Sequence, residues 1–267
     1  RPFAFDTFFD GIKKDLHELL KETRLSEQGM EIYRRVWNDL LKEKSWREQE
    51  WSFLTGGQED TKGFDSDSLL IAKIHLAYLL DKESAMLELL TELKPEQFRS
   101  LLFWINIQDE KKKAPFISFL IGKIGDYLGL PINYYAKKEF IVTVTPPVLR
   151  HCMHLDKMDV FEQFCENNLP YTFIPYSNYL LQSGSHKKWV ELFIYHGVDV
   201  DHIASDDLKA VMQSNPSLLL PLFTSIVNEK IANKNRQSYR AAVRYMKKIR
   251  TICKKEKEMD KWERYLA

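Results

Sequence analysis

Apolar residues recur along this chain at spacings of three and four, and little interrupts them. Over residues 5–21 the set is Phe5, Phe8, Phe9, Ile12, Leu16, Leu19 and Leu20. That spacing lines one face of a helix but would scatter over both faces of a strand. Met30, Tyr33, Val36, Trp37, Leu40 and Leu41 repeat the pattern behind Ser26, which is placed to cap a second helix. Only ten glycines and ten prolines occur in 267 residues, a low share of chain breakers that lets elements run long.

The same reading continues along the chain. A short element holds Trp46 and Trp51, and residues 55–67 (TGGQEDTKGFDSD) form a polar loop. Residues 67–80 and 84–93 make a helical hairpin around Asp81-Lys82-Glu83. Pro95 opens a helix through Ile107 and Pro115 opens the next, because a first-turn proline loses no hydrogen bond. Residues 132–145 (INYYAKKEFIVTVT) contain the β-branched run of the chain, read as a short strand or extended linker. Thr145 then caps a helix restarted at Pro146-Pro147. Helices are expected over 159–167, 175–182, 187–196, 205–213, 216–231 and 239–254, with Gly197 as a stop signal. Tyr78-Leu79-Leu80 ahead of 86–90 is echoed by Tyr179-Leu180-Leu181 ahead of 189–193. The expected fold is therefore all-α, built of stacked helix pairs in an irregular, solenoid-like repeat, with an irregular or β-like excursion near 132–145. The expected division is an N-terminal helical subdomain over 1–130, a linker over 131–146 and a C-terminal helical-repeat subdomain over 147–267.

A composition of 44% apolar and 29% charged residues is that of a globular chain. No apolar run reaches 18 residues: 69–80 is broken by Lys73 and His75, and 218–227 by Pro221. No membrane span is expected. Cys152, Cys165 and Cys253 are an odd set without CxxC spacing, which points away from a disulfide framework and toward a reducing, cytoplasmic compartment. The opening Arg-Pro-Phe-Ala has neither an initiator Met nor the order of a signal peptide, and reads as the start of a piece of a longer protein.

Motifs for chemistry are sparse. His151-Cys152-Met153-His154 puts two imidazoles three apart, with Cys152 or Asp156 nearby, but zinc needs three or four ligands and no second cluster follows. Thr55-Gly56-Gly57 lacks the preceding strand and the Lys-Ser/Thr of a phosphate loop. No GxSxG, HExxH or kinase-type set occurs. The expectation is a non-enzyme with no catalytic residue, no metal, no cofactor and no small-molecule substrate.

The charge pattern near the C-terminus is more specific. From Lys230 to Arg264 the chain carries thirteen Lys/Arg against four Asp/Glu, a net of +9, and no acid at all lies between Lys230 and Lys255. The remainder then carries −8, since the total is +1. At about 100° per residue, Arg244, Lys247, Lys248, Arg250, Lys254 and Lys255 fall within about 80° of Arg240, with Arg236 on the same side. Ala242, Tyr245, Met246, Ile249, Ile252 and Cys253 point the other way. One face buries and the other is a cationic ridge, suited to phosphates or an acidic partner, or else a solvated face balanced by acids elsewhere in the fold.

The same region carries a resemblance. Asn215-Pro216-Ser217 through Leu222, Ile231, the run Asn235-Arg236-Gln237-Ser238-Tyr239-Arg240-Ala241-Ala242-Val243-Arg244-Tyr245-Met246-Lys247-Lys248-Ile249, and Trp262-Glu263-Arg264-Tyr265-Leu266 resemble the tail of the large bacterial SWIM zinc finger family proteins. The CxC…CxH zinc motif of that family is absent here. The resemblance implies a helical region downstream of a zinc module, in a longer bacterial protein. It carries no activity onto these residues, although Asn235-Arg236 is placed to cap or pin the junction between the last two helices. The functional expectation is a non-catalytic helical interaction scaffold binding a protein partner. The alternative is a nucleic-acid-binding helical domain using the ridge over 230–255.

Overall fold

The computed structural model describes residues 5–21, 27–57 and 59–266. Among these are fifteen α-helices and no strand, so the chain is all-α. They are α1 (Phe5–Lys21), α2 (Glu27–Arg35), α3 (Lys44–Thr55), α4 (Ser66–Leu79), α5 (Glu83–Thr91), α6 (Leu102–Ile105), α7 (Glu110–Leu128), α8 (Tyr134–His154), α9 (Met158–Asn167), α10 (Phe173–Gln182), α11 (His186–Tyr195), α12 (Ser205–Ser214), α13 (Leu219–Ala232), α14 (Arg236–Lys255) and α15 (Met259–Leu266). The chain divides into two compact units, residues 1–172 and 173–267.

The first unit packs large aromatics between its helices. Trp104 is fully buried and stacks on Phe116, with ring centroids 4.9 Å apart. Buried Glu50 of α3 takes hydrogen bonds or ionic contacts from His17 at 2.8 Å and Lys13 at 3.5 Å, which ties α1 to α3. Arg47 donates to the carbonyls of Trp37 and Leu41, closing the wide turn that follows α2. The cap expected at Ser26 lies outside the described residues.

The expected starts of two helices are corrected here. Residues 132–145 are neither a strand nor a linker: α8 runs from Tyr134 to His154, with Asn133 accepting the Ala136 amide at 2.8 Å as its N-cap. Phe140, Ile141, Val144, Thr145, Val148, His151 and Cys152 are buried along it, and this 3–4 spacing decides the element. Packing of one helical face overrides the β-propensity of Ile141-Val142-Thr143-Val144. Thr145 bonds back to the Ile141 carbonyl instead of capping, and Pro146-Pro147 sit inside the helix. Likewise α7 starts at Glu110, capped by Asp109, and holds Pro115 in its interior. The boundary between the two compact units falls between residues 172 and 173.

The second unit follows the expected helix order closely, and Gly197 ends α11 with φ of +59°. Its core holds fully buried Trp189, whose indole N–H donates to Ser177 at 2.9 Å, together with Phe193, Leu219, Phe223 and the inner face of α14. The most extensive helix contact in the unit is between α13 and α14.

Candidate nucleic-acid interface

Helix α14 owes its position to its apolar face. Ala241, Ala242, Tyr245, Ile249, Ile252 and Cys253 are all at most 7% exposed, and burying them against α13 sets the rotation of the helix. Asn235 accepts the Ser238 amide at 2.8 Å, so the N-terminus is capped at the residue singled out by the sequence pattern. The twenty residues span about 30 Å.

This rotation turns every ridge cation outward. Arg236, Arg240, Arg244, Lys247, Lys248, Arg250, Lys254 and Lys255 are all exposed. None of the eight lies within ion-pair distance of a carboxylate among the described residues. Lys248 alone leans on neighbours, its ammonium 4.8 Å from the Tyr245 ring and 5.4 Å from the Phe223 ring. Tyr239 and Val243, interleaved with the arginines, are about half exposed.

Acids do lie close to α14, but other groups engage them. Lys230 of α13 pairs with Asp199 at 2.5 Å, which holds that carboxyl below its usual range and the ammonium above its own. Tyr245 donates to Asp201 at 2.5 Å; burial first, then this bond, pushes the phenol well up.

A groove of about 220 Å³ opens along one flank of the ridge, lined by Met212 of α12 and by Lys247, Lys248, Thr251, Ile252 and Lys255 of α14. Its floor is apolar, and three ridge lysines stand around it. Sequence reasoning missed it, because Met212 reaches α14 only through tertiary packing.

Elsewhere the singled-out motifs disperse. His151 is buried with its pKa lowered, chiefly by burial, while His154 is exposed. No three metal-ligating side chains converge among the described residues. Cys152, Cys165 and Cys253 are buried free thiols. A wider depression of about 1010 Å³ in the first unit was also not foreseen. Most of its charged groups serve the fold: Asp65 caps α4, Asp67 pairs with Lys94, Glu31 pairs with Arg35, and Arg34 donates to the Ser100 carbonyl. No helix among the described residues is long and apolar enough to cross a membrane.

No family model and no solved structure matches the chain. Among curated proteins it is similar to "Uncharacterized protein YwqB" of Bacillus subtilis (strain 168), at 28% identity over 269 residues, covering 99% of this chain and 50% of that protein. The chain thus spans about half the length of the curated relative it matches.

Proposed function

We propose that this chain is a non-catalytic helical module that holds a nucleic-acid backbone on the outer face of α14. The observation that carries the reading is the set of eight exposed cations on one helix face, none of them paired with a carboxylate among the described residues. Like charges at i, i+4 repel by a few tenths of a kcal/mol per pair, so Arg240, Arg244 and Lys248 sit together at a cost to the helix. A polyanion relieves that repulsion and releases its own counterions. The match to about half of a longer Bacillus protein supports reading the chain as a module of a larger bacterial protein.

The test is fluorescence anisotropy of labelled single- and double-stranded DNA at about 50 and 200 mM salt. Binding should be tighter at the lower salt and should weaken at least tenfold in the Arg240→Glu, Arg244→Glu, Lys248→Glu triple variant while the helical circular dichroism is kept. Absence of binding at the lower salt refutes the reading.

A protein partner is the second reading, supported by an aromatic cluster in the first unit. Tyr135 is 79% exposed, and Tyr134 touches both it and Tyr171, at ring separations of 5.8 and 5.2 Å. Such rings are favoured at interfaces. Capture of a specific protein that is lost on Tyr135→Ala and kept in the ridge triple variant would establish it.

A further inference from the structure

We infer that the groove between α12 and α14 receives an unstacked base, so that the ridge selects single-stranded nucleic acid over duplex. This rests on the nucleic-acid reading of the ridge and goes one step past it.

The groove and the ridge share residues. Lys247, Lys248 and Lys255 line the groove and also belong to the cationic face. A phosphate held by these ammoniums therefore brings its own sugar and base to the groove mouth. The floor is Met212 and the almost fully buried Ile252. A thioether is soft and polarizable and suits a flat π-face. The Thr251 hydroxyl donates to the Lys247 carbonyl at 2.9 Å, so its hydrogen is engaged within the helix.

Size sets a limit. About 220 Å³ lies below the roughly 300–1,000 Å³ of pockets that enclose whole drug-sized ligands. It suits one ring system, with the rest of the ligand left on the surface. The remainder of the ridge extends from this point toward Arg236, about 17–28 Å away along the helix axis. A lone anion engages only one end of such a row, whereas a strand with a phosphate at each nucleotide engages all of it.

A duplex cannot offer the same contact. Its base faces are covered by their neighbours, and only edges show in the grooves. A single strand turns a base out at little cost, as binders that combine a basic track with apolar or aromatic platforms exploit.

The experiment compares wild type, Thr251→Trp, Thr251→Ala and the ridge triple variant by anisotropy, at about 50 mM salt. The probes are a labelled oligothymidylate of about 15 nucleotides, a duplex of the same length and a labelled Glu-rich peptide. Thr251 is exposed, so Trp fills the groove without entering the core, and Ala leaves it open. Wild type should bind the strand about tenfold tighter than the duplex, as burial of part of one ring implies. Thr251→Trp should remove that advantage, bringing strand and duplex affinity together, and Thr251→Ala should keep the strand preference. Equal binding of strand and duplex, untouched by Thr251→Trp, overturns the inference and leaves the ridge reading standing. Failure of wild type to bind either nucleic acid overturns both. Glu-rich peptide bound as tightly as the strand and equally sensitive to Thr251→Trp also overturns it, in favour of an acidic protein ligand.

Discussion

Tyr245 donates its hydroxyl to Asp201 at 2.5 Å from the inner side of α14, while Arg244, one residue earlier, stands in solvent with no carboxylate at ion-pair distance among the described residues. The acid beside the helix is thus held by a neutral phenol, and the cation next to that phenol stays available. Tyr245→Phe should cost about 1.5 kcal/mol, the scale of a hydrogen bond to a charged group. It should leave anion binding unchanged, because the ridge itself is intact. Thermal unfolding and anisotropy on the same sample check both halves.

Stability and binding should move in opposite directions at Arg244. Arg244→Glu converts two like-charged i, i+4 pairs, with Arg240 and Lys248, into opposite-charged ones. At a few tenths of a kcal/mol per pair for each sign, the helix should gain about 1 kcal/mol, while DNA affinity falls. A loss of both stability and affinity would mean that Arg244 supports the fold through a contact the geometry does not show.

The ends of α14 offer a separate check. Asn235→Ala removes the acceptor for the Ser238 amide and should cost about 1 kcal/mol in the second unit. Asn235→Asp should be neutral or slightly stabilising, because a carboxylate caps equally well and favours the positive end of the helix dipole. Urea unfolding of the two variants compares them directly.

His75 gives the first unit a defined acid response. Its ring is fully buried; Nδ1 accepts from the Trp104 indole at 3.3 Å, which leaves Nε2 to donate to the Arg34 carbonyl at 2.9 Å. Burial first, then the Arg34 charge, lowers its pKa from 6.5 to about 3. Above pH 6.5 folded and unfolded chains both hold it neutral. Between 6.5 and 3 only the unfolded chain takes up the proton, so stability falls on acidification by about 1.4 kcal/mol per pH unit. Between pH 7 and 5, wild type should lose about 2 kcal/mol more than His75→Gln. Parallel pH dependences of unfolding for the two proteins would contradict this arrangement.

The parts legible in the sequence are those where one periodicity acts alone. In α14 the projection that put Ala242, Tyr245, Ile249, Ile252 and Cys253 on one face and the arginines and lysines on the other matches the buried and exposed sets. In α8 two signals conflict. The β-branched residues and Pro146-Pro147 argue locally for a break, but the spacing of Phe140, Ile141, Val144, Val148 and Cys152 lets a helical face bury, and burial is worth more than the local preference. Pro115 misled for a related reason, since Asp109 supplies a cap that starts the helix at Glu110, five residues before Pro115. The Met212 groove had no local signal at all: its two sides are about 40 residues apart and meet only in the packed unit.

The most direct test of the central claim is the salt dependence of DNA affinity. A plot of log affinity against log salt has a slope of about −0.7 to −0.9 per neutralised phosphate. Engagement of half or more of the eight ridge cations should give a slope of about −3 or steeper, and the triple reversal at Arg240, Arg244 and Lys248 should flatten it by about 2 units. A slope near zero, or one that the triple reversal leaves unchanged, would contradict the assignment of α14 as the nucleic-acid interface.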